Sequence, residues 1–173
     1  MRYASIRNFD ITNGEGIGVA LFVQGCPFHC KGCFNECTWD FDGGEEWTED
    51  VQEKFFEFVN QPFIERVTIL GGEPMDWHSY PDVKEIVKRI RSERPDVKIW
   101  LYTGYDFEYL TQYNDGRDEI FDYIDIMVDG QFIEKQRDLT LPFRGSANQR
   151  IIDINKSKAI GLSRAVLWGD ADE

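Results

Sequence analysis

The sequence predicts an α/β protein built on an open, largely parallel sheet that forms part of a barrel. Short apolar runs that fit buried strands alternate with segments of helical periodicity. This alternation is typical of parallel strands joined by right-handed crossovers. A closed eight-fold barrel takes about 250 residues, so a chain of 173 residues permits only a partial, open one. We expect residues 1–173 to form one domain.

The strands are predicted from compact apolar runs that end in turn residues. Four runs lie at residues 19–23, 67–70, 97–102 and 124–128, and Ile151 with Ile152 indicates one more strand. Each of the four is followed by glycine within a few residues, as expected where a buried strand gives way to a loop.

Helices are predicted between these strands. Thr48 fits the N-cap of the first helix, and the second begins at Ser79 and must end before Pro95. A third helix begins at residues 107–110 and is interrupted by the turn residues 114–116. The predicted order is therefore strand, helix, strand through most of the chain.

Composition excludes several classes of function. The formal net charge of -13 opposes a general nucleic-acid surface, because phosphate binding needs a basic field. No run approaches the roughly 18 apolar residues of a membrane helix. No basic start followed by an apolar segment indicates secretion, so we expect a cytoplasmic protein with reduced thiols.

Three cysteines occur in one glycine-flanked run directly after the first apolar strand. Cys26, Cys30 and Cys33 have x3 and x2 separations, a spacing that suits three irons of a [4Fe-4S] cluster and leaves the fourth iron without a cysteine from this run. An open iron indicates chemistry rather than storage. A structural zinc site is the alternative, and Cys37 as a fourth ligand would give a closed, electron-transfer cluster. We interpret Cys37 as a spare thiol.

Other unusual residues also follow predicted strands. Gly71-Gly72-Glu73-Pro74, Thr103 and Asp129 each lie at the carboxyl end of a strand. In parallel sheets that edge carries the active site. The cysteine run is therefore expected to share one edge with a glycine-rich turn and two polar side chains.

These residues resemble the radical S-adenosylmethionine enzymes, which combine a C-x3-C-x2-C loop after the first barrel strand with a glycine-rich turn after the second. More specifically, the chain is similar to the activating proteins of anaerobic ribonucleoside-triphosphate reductase over about nine-tenths of its length. The segments that carry this resemblance are Asn8-Phe9-Asp10, Gly14-Glu15-Gly16, Phe22-Val23-Gln24-Gly25-Cys26, Leu70-Gly71-Gly72-Glu73-Pro74, Tyr102-Thr103-Gly104-Tyr105, Val128-Asp129-Gly130 and the stretch from Leu141-Pro142-Phe143-Arg144-Gly145-Ser146 to Asp153.

The resemblance implies a partial, open (β/α)6-type radical S-adenosylmethionine barrel and a defined activity. Its cofactors would be a [4Fe-4S] cluster and S-adenosyl-L-methionine, whose amino and carboxylate groups chelate the open iron. One electron, from an external donor such as flavodoxin or ferredoxin, would then produce a 5'-deoxyadenosyl radical. The partner would be the large subunit of the anaerobic ribonucleotide reductase, on which this radical generates a glycyl radical.

The resemblance also implies roles for individual residues. Cys26, Cys30 and Cys33 would hold the cluster, and no further catalytic residue is expected beyond the cluster and cofactor. Gly71 and Gly72 would let the backbone approach the cofactor. The residues expected to bind S-adenosylmethionine are Gly32, Cys33, Phe34, Gly71, Gly72, Glu73, Thr103 and Asp129.

More detailed expectations follow for some of these residues. Glu73 would accept a hydrogen bond from the methionine ammonium, and Thr103 and Asp129 would hold the ribose or methionine. Gly32 stands where related enzymes often have an aromatic residue, so backbone at 32–34 is expected near the adenine. The segment 144–150 would meet the cofactor carboxylate or the glycine loop of the partner.

Three alternatives remain open at this point. An activase of another glycyl-radical enzyme, such as pyruvate formate-lyase, would share the cysteine loop and the glycine turn. An iron-sulfur electron carrier would use all four cysteines and would not need the glycine turn. A zinc-stabilised interaction module would usually be smaller than this chain.

Overall fold

A seven-stranded sheet organises the protein, which we describe over residues 1–170 from a computed structural model. The strands are β1 (Arg2–Asp10), β2 (Gly18–Val23), β3 (Glu45–Glu46), β4 (Arg66–Gly71), β5 (Lys98–Tyr102), β6 (Ile126–Asp129) and β7 (Arg150–Asp153). The α-helices are α1 (Glu49–Val59), α2 (Tyr80–Glu93), α3 (Phe107–Gln112) and α4 (Ile154–Ala159). Short 3-10 helices cover Glu36–Thr38, Arg117–Asp122 and Glu134–Gln136. The strand order is β3-β1-β2-β4-β5-β6-β7, and the sheet is open.

The centre of the sheet is parallel, as the sequence predicts. Strands β2, β4, β5 and β6 pair in parallel, with Val19 opposite Val67 and Val67 opposite Ile99. The connections between them contain α1, α2 and α3. The hydroxyl of Thr48 accepts a hydrogen bond from the amide of Val51 at 3.3 Å, which confirms the predicted N-cap of α1. Within residues 1–170, no helix has the length and apolar character needed to cross a bilayer.

The two sides of the sheet depart from the six expected strand–helix units. Strands β1 and β3 on one side and β7 on the other run antiparallel to their neighbours, so the described residues contain four parallel strands. The physical reason is the connections: the loops 11–17 and 130–149 contain no α-helix that could carry the chain back across the sheet. β1 has no long apolar run because its residues are mostly half-buried or exposed.

The two faces of the sheet have different cores, because successive strand residues point to opposite sides. One face packs against the helices and forms the larger core, which includes Val67, Ile69, Phe55 and Ile86. The opposite face, which we call the inner face, is covered by loops rather than helices. Its buried apolar residues are Ala20, Phe22, Leu70, Trp100, Ile126, Val128 and Ile151.

Near the amino ends of the parallel strands, the inner face is filled around Arg66. This side chain is fully buried and forms an ion pair with Asp10 at 2.9 Å. Its other nitrogens donate to the hydroxyl of Thr68 and to the carbonyl of Glu15, at 3.1 Å for the latter. Trp100 packs beside it against Trp168, with ring centroids 5.8 Å apart. The inner face is therefore closed at this end.

Candidate active site

At the carboxyl ends of the same strands, the inner face opens into a cleft of about 580 Å³. Phe22, Leu70, Tyr102 and Val128 line it from β2, β4, β5 and β6. The loops that follow these strands complete its walls. The predicted meeting of strand-end residues at one edge is therefore found, since Cys26, Cys30, Cys33, Gly71, Gly72, Glu73, Thr103 and Phe34 all line this cleft.

The cysteine loop is anchored at its base. The amide of Gly25 donates to the carbonyl of Thr38 at 2.7 Å, and that of Cys26 donates to the carbonyl of Trp39 at 3.1 Å. Inside the loop, the amide of Cys33 donates to the carbonyl of Cys30 at 3.1 Å. All three cysteines are free thiols. The backbone thus fixes where the loop begins and leaves the thiols available to a ligand.

Burial affects the thiols of this loop. It raises the pKa of Cys26 to about 11, with a further contribution from the nearby Glu73 carboxylate, while backbone hydrogen bonds from Phe28 and His29 act the other way. Burial also raises the pKa of Cys30. Both thiols are therefore protonated at neutral pH, and iron binding would release their protons.

The donor set suits a polynuclear cluster better than one ion. Among residues 1–170, no group of three or more histidine, cysteine or acidic side chains is placed to hold a single metal ion. A tetrahedral zinc with bonds of about 2.3 Å would need its thiolates within about 4 Å of one another. In a cubane cluster, three thiolates bind three different irons, so they need not converge on one point.

The glycine-rich turn packs directly against the cysteine loop. The amide of Gly72 donates to the carbonyl of Val23 at 2.9 Å, and that of Glu73 donates to the carbonyl of Gly25 at 2.8 Å. A Cβ atom on Gly72 would overlap the carbonyl oxygen of Gly25. Glycine at position 72 is therefore required for the two loops to approach, a contact within the protein that the sequence does not reveal.

Glu73 is the acidic residue that lines the cleft within the described part of the chain. Its carboxylate is 1% exposed and accepts hydrogen bonds from the hydroxyl of Thr103 at 2.7 Å, the amide of Gly104 at 2.6 Å and the amide of Met75 at 2.9 Å. Burial raises its pKa to about 7, although these three donors oppose the shift. Glu73 is thus a fixed carboxylate that titrates near neutral pH, and Thr103 positions it.

Two predicted cofactor residues are not among those that line the cleft. Asp129 is 1% exposed, and its carboxylate accepts from the amide of Phe107 at 2.8 Å and from Arg150 at 2.5 and 3.0 Å. It therefore holds the start of α3 and pairs with β7. Gly32 faces Glu134, whose carboxylate would lie 3.2 Å from a Cβ at that position.

The neighbouring residues of the cysteine loop have other surroundings. His29 adopts a left-handed backbone with φ of 48° and stacks on Trp39, with ring centroids 4.6 Å apart. Cys37 is exposed on the 3-10 helix Glu36–Thr38 and is not among the residues lining the cleft. This placement supports the interpretation of Cys37 as a spare thiol.

Sequence reasoning missed several residues of the cleft. Thr12 and Asn13 line it from the loop 11–17, and the carbonyl of Asn13 accepts from Thr68 at 2.7 Å. The neighbouring Gly14-Glu15-Gly16 segment is part of the family resemblance in the sequence, but its contact with buried Arg66 becomes visible only in the fold.

Arg144 belongs to the segment 144–150, which the sequence predicts to meet the cofactor carboxylate or the glycine loop of the partner. It lines the cleft, and its Nη1 donates to the carbonyl of Gln149 at 2.5 Å. Its Nε is buried without a hydrogen-bond partner. A buried, unpaired donor is costly, so this guanidinium is suited to an anionic ligand.

Comparison with known proteins agrees with this geometry. A family described as the 4Fe-4S single cluster domain matches residues 12–152. An anaerobic ribonucleoside-triphosphate reductase-activating protein from Vibrio cholerae serotype O1 is 39% identical over 153 residues, covering 87% of this chain and 97% of that protein. The proteins of the same name from Escherichia coli K12 and Enterobacteria phage T4 are 36% and 33% identical over 151 residues, covering 86% and 87% of this chain and 96% and 93% of their own lengths. The chain therefore belongs to the 4Fe-4S single cluster domain family and to the family of anaerobic ribonucleoside-triphosphate reductase-activating proteins.

Proposed function

We propose that this protein activates an anaerobic ribonucleoside-triphosphate reductase by generating a glycyl radical on its large subunit. The observation that carries the proposal is the cleft itself. Three free cysteines with C-x3-C-x2-C spacing share it with a buried carboxylate and a guanidinium whose Nε has no partner. Relatives at this level of identity carry the name of the reductase activase, which favours this partner over a pyruvate formate-lyase.

Cys26, Cys30 and Cys33 would hold a [4Fe-4S] cluster at the edge of the cleft. When bound, such a cluster supplies the single electron that cleaves the sulfonium of S-adenosylmethionine. The anchored base of the loop keeps the three thiols beside the glycine turn. Cys37, which is exposed and does not itself line the cleft, would not bind the cluster, so one iron would be open to the cofactor.

The cleft also offers partners for the polar ends of S-adenosylmethionine. Glu73 would accept from the methionine ammonium, and the unpaired Nε of Arg144 would donate to the carboxylate. Thr103 acts through Glu73, because its hydroxyl donates to that carboxylate at 2.7 Å. Backbone at 32–34 would contact the adenine. We assign Asp129 an indirect role, since it does not line the cleft and its oxygens accept from Phe107 and Arg150.

The inner face contributes by keeping water out. Phe22, Leu70 and Val128 give the cleft an apolar floor, and Tyr102 donates to the carbonyl of Phe143 at 2.6 Å. Burial raises the pKa of Tyr102, so its hydroxyl stays protonated at neutral pH. A dry floor protects a reactive radical from side reactions. We propose that this one-domain open sheet is the partial barrel of the radical S-adenosylmethionine fold.

We propose an electron donor and a compartment on chemical grounds. The reaction consumes one electron per turnover, so a flavodoxin, a ferredoxin or a similar one-electron donor is required. Reduced thiols need a reducing environment, so we propose the cytoplasm as the compartment. No nucleic acid or membrane is assigned as a partner, because the chain has a net charge of -13 and the activity calls for neither.

Electron paramagnetic resonance tests this function directly. The protein is reconstituted with iron and sulfide without oxygen, reduced, and mixed with S-adenosylmethionine and the reductase, and 5'-deoxyadenosine is assayed in the same tube. We expect a glycyl-radical doublet together with 5'-deoxyadenosine. Deoxyadenosine without the doublet would reject this partner, and a reduced cluster that leaves S-adenosylmethionine intact would reject the radical chemistry.

A further inference from the structure

Two large apolar side chains stand exposed at the edge of the cleft. Phe34 is 54% exposed and Leu139 is 75% exposed, and both line the cleft. They come from different walls, since Phe34 follows the cysteine loop and Leu139 lies in the loop 130–149. We call this pair the mouth of the cleft. Exposed apolar groups at the rim of a site are typical of an interaction surface.

The Phe34 side of the mouth is held rigidly. The Phe34 ring packs on Phe132, with centroids 5.1 Å apart, and the guanidinium carbon of Arg137 lies 5.0 Å from its centroid. A Cβ on Gly145 would lie 2.7 Å from the Phe34 ring, so glycine is needed for the ring to rest on that backbone. The ring is thus fixed by three neighbours while half of its surface faces solvent.

The Leu139 side is presented by a tight turn. The carboxylate of Asp138 accepts from the amide of Thr140 at 2.9 Å and from its hydroxyl at 2.6 Å, which leaves Leu139 at the tip. Hydrogen bonds from Asp138 to Gly145 at 3.1 Å and from Ala147 to Gln136 at 2.9 Å brace the loop. Leu139 therefore points away from the loop on a preformed support, and preformed surfaces lose less entropy on binding.

We propose that the mouth binds the glycine-bearing segment of the reductase large subunit in an extended conformation, through the apolar side chains next to the glycine. The proposal rests on the proposed function. A glycine whose Cα hydrogen is removed must enter the cleft as backbone. Because an extended chain advances about 3.3–3.6 Å per residue, residues one to three positions away lie about 3 to 11 Å from the glycine, and the mouth offers them exposed apolar contacts at the edge of the cleft.

Affinity between the intact proteins tests the assignment. In Leu139→Ser, we expect the Kd for the reductase to rise about tenfold, as for removal of an apolar contact at an interface. Glycyl radical formed at limiting reductase should fall accordingly and recover at saturating reductase. Formation of 5'-deoxyadenosine without reductase should match the wild type, and Leu139→Met should restore affinity.

Phe63 provides the matched control. It is 50% exposed but lies just before β4, at the amino ends of the parallel strands and away from the cleft. Phe63→Ser should therefore leave the affinity for the reductase unchanged. An unchanged Kd in Leu139→Ser, or an equal loss in Phe63→Ser, would overturn the docking proposal while leaving the proposed function in place. A wild-type protein that forms no glycyl radical on the reductase would overturn both.

A photo-reactive phenylalanine analogue at position 139 identifies the occupant independently of any loss of affinity. We expect it to cross-link to the reductase within a few residues of the radical glycine. Cross-links confined to another region of the reductase, or to a second copy of this chain, would overturn the assignment.

Discussion

The two ends of the inner face are built from the same parallel strands but differ in function. One end stabilises the fold, and the other forms the cleft. At the amino end, Arg66 is fully buried and its donors are matched by Asp10, Thr68 and Glu15. At the carboxyl end, the Nε of Arg144 lacks a partner, and the thiols of the cysteine loop are free. At the amino end, internal pairing fills the space and stabilises the fold. At the carboxyl end, polar groups remain available to bind ligands. Substitutions should therefore affect stability at one end and function at the other.

The largest expected effect is at the cysteine loop. Cys26→Ser should reduce bound iron and S-adenosylmethionine cleavage to background, because an iron would lose its thiolate. The circular dichroism spectrum and melting temperature of the metal-free chain should change little, because serine is close to cysteine in size and can accept the same backbone hydrogen bonds. Iron content and 5'-deoxyadenosine formation are the measurements.

Cys37→Ser is the matched control for the ligand set. Its cluster and cleavage should resemble those of the wild type, because Cys37 is exposed and does not itself line the cleft. Loss of the cluster in this variant would show that four cysteines are ligands and would favour an electron carrier.

The next largest effect is at the closed end. Arg66→Met should lower the free energy of unfolding by about 3–5 kcal/mol, because it removes the buried positive charge that pairs with the Asp10 carboxylate. Urea denaturation of the metal-free chain measures this loss. Lys54→Met, at an exposed position on α1, is the control, and equal stability of the two variants would show that the buried pair contributes nothing.

A smaller, pH-dependent effect is expected at Glu73. Because its pKa is about 7, the fraction of ionised carboxylate rises about tenfold from pH 6 to pH 8, and affinity for S-adenosylmethionine should rise with it. Calorimetric titration of the reconstituted protein measures this slope, and Glu73→Gln should flatten it. An unchanged slope in that variant would remove Glu73 from the ammonium site.

The raised pKa of Glu73 makes the stability of the fold depend on pH in the opposite direction to ligand binding. The folded-state pKa of Glu73 lies above the ordinary value of 4.5, so the folded chain binds an extra proton between these two values. Its contribution to stability is present below pH 4.5 and is lost as the pH rises toward 7. As the pH rises, affinity for S-adenosylmethionine should therefore increase while the contribution of Glu73 to stability decreases. The two effects of this one carboxyl group can thus be distinguished.

The sequence by itself determined the central parallel strands, the three crossover helices and the edge at which the cysteines meet the glycine turn. These follow from local patterns, since apolar runs, caps and turn residues act over a few positions. The motif spacing also led to the three proposed cluster ligands, which lie together along the cleft. The antiparallel strands β1 and β7 were harder, because β1 has no continuous apolar run, β7 is short, and the pairing of both depends on distant partners.

Only the tertiary structure decided how the polar residues are used. Thr103 and Asp129 look equivalent in sequence, yet Thr103 positions Glu73 inside the cleft, whereas Asp129 is occupied by Phe107 and Arg150. The unpaired Nε of Arg144 and the exposure of Phe34 and Leu139 likewise depend on residues far away in the chain. The physical reason is that strand and helix propensities are local, whereas burial and hydrogen-bond satisfaction are properties of the assembled fold.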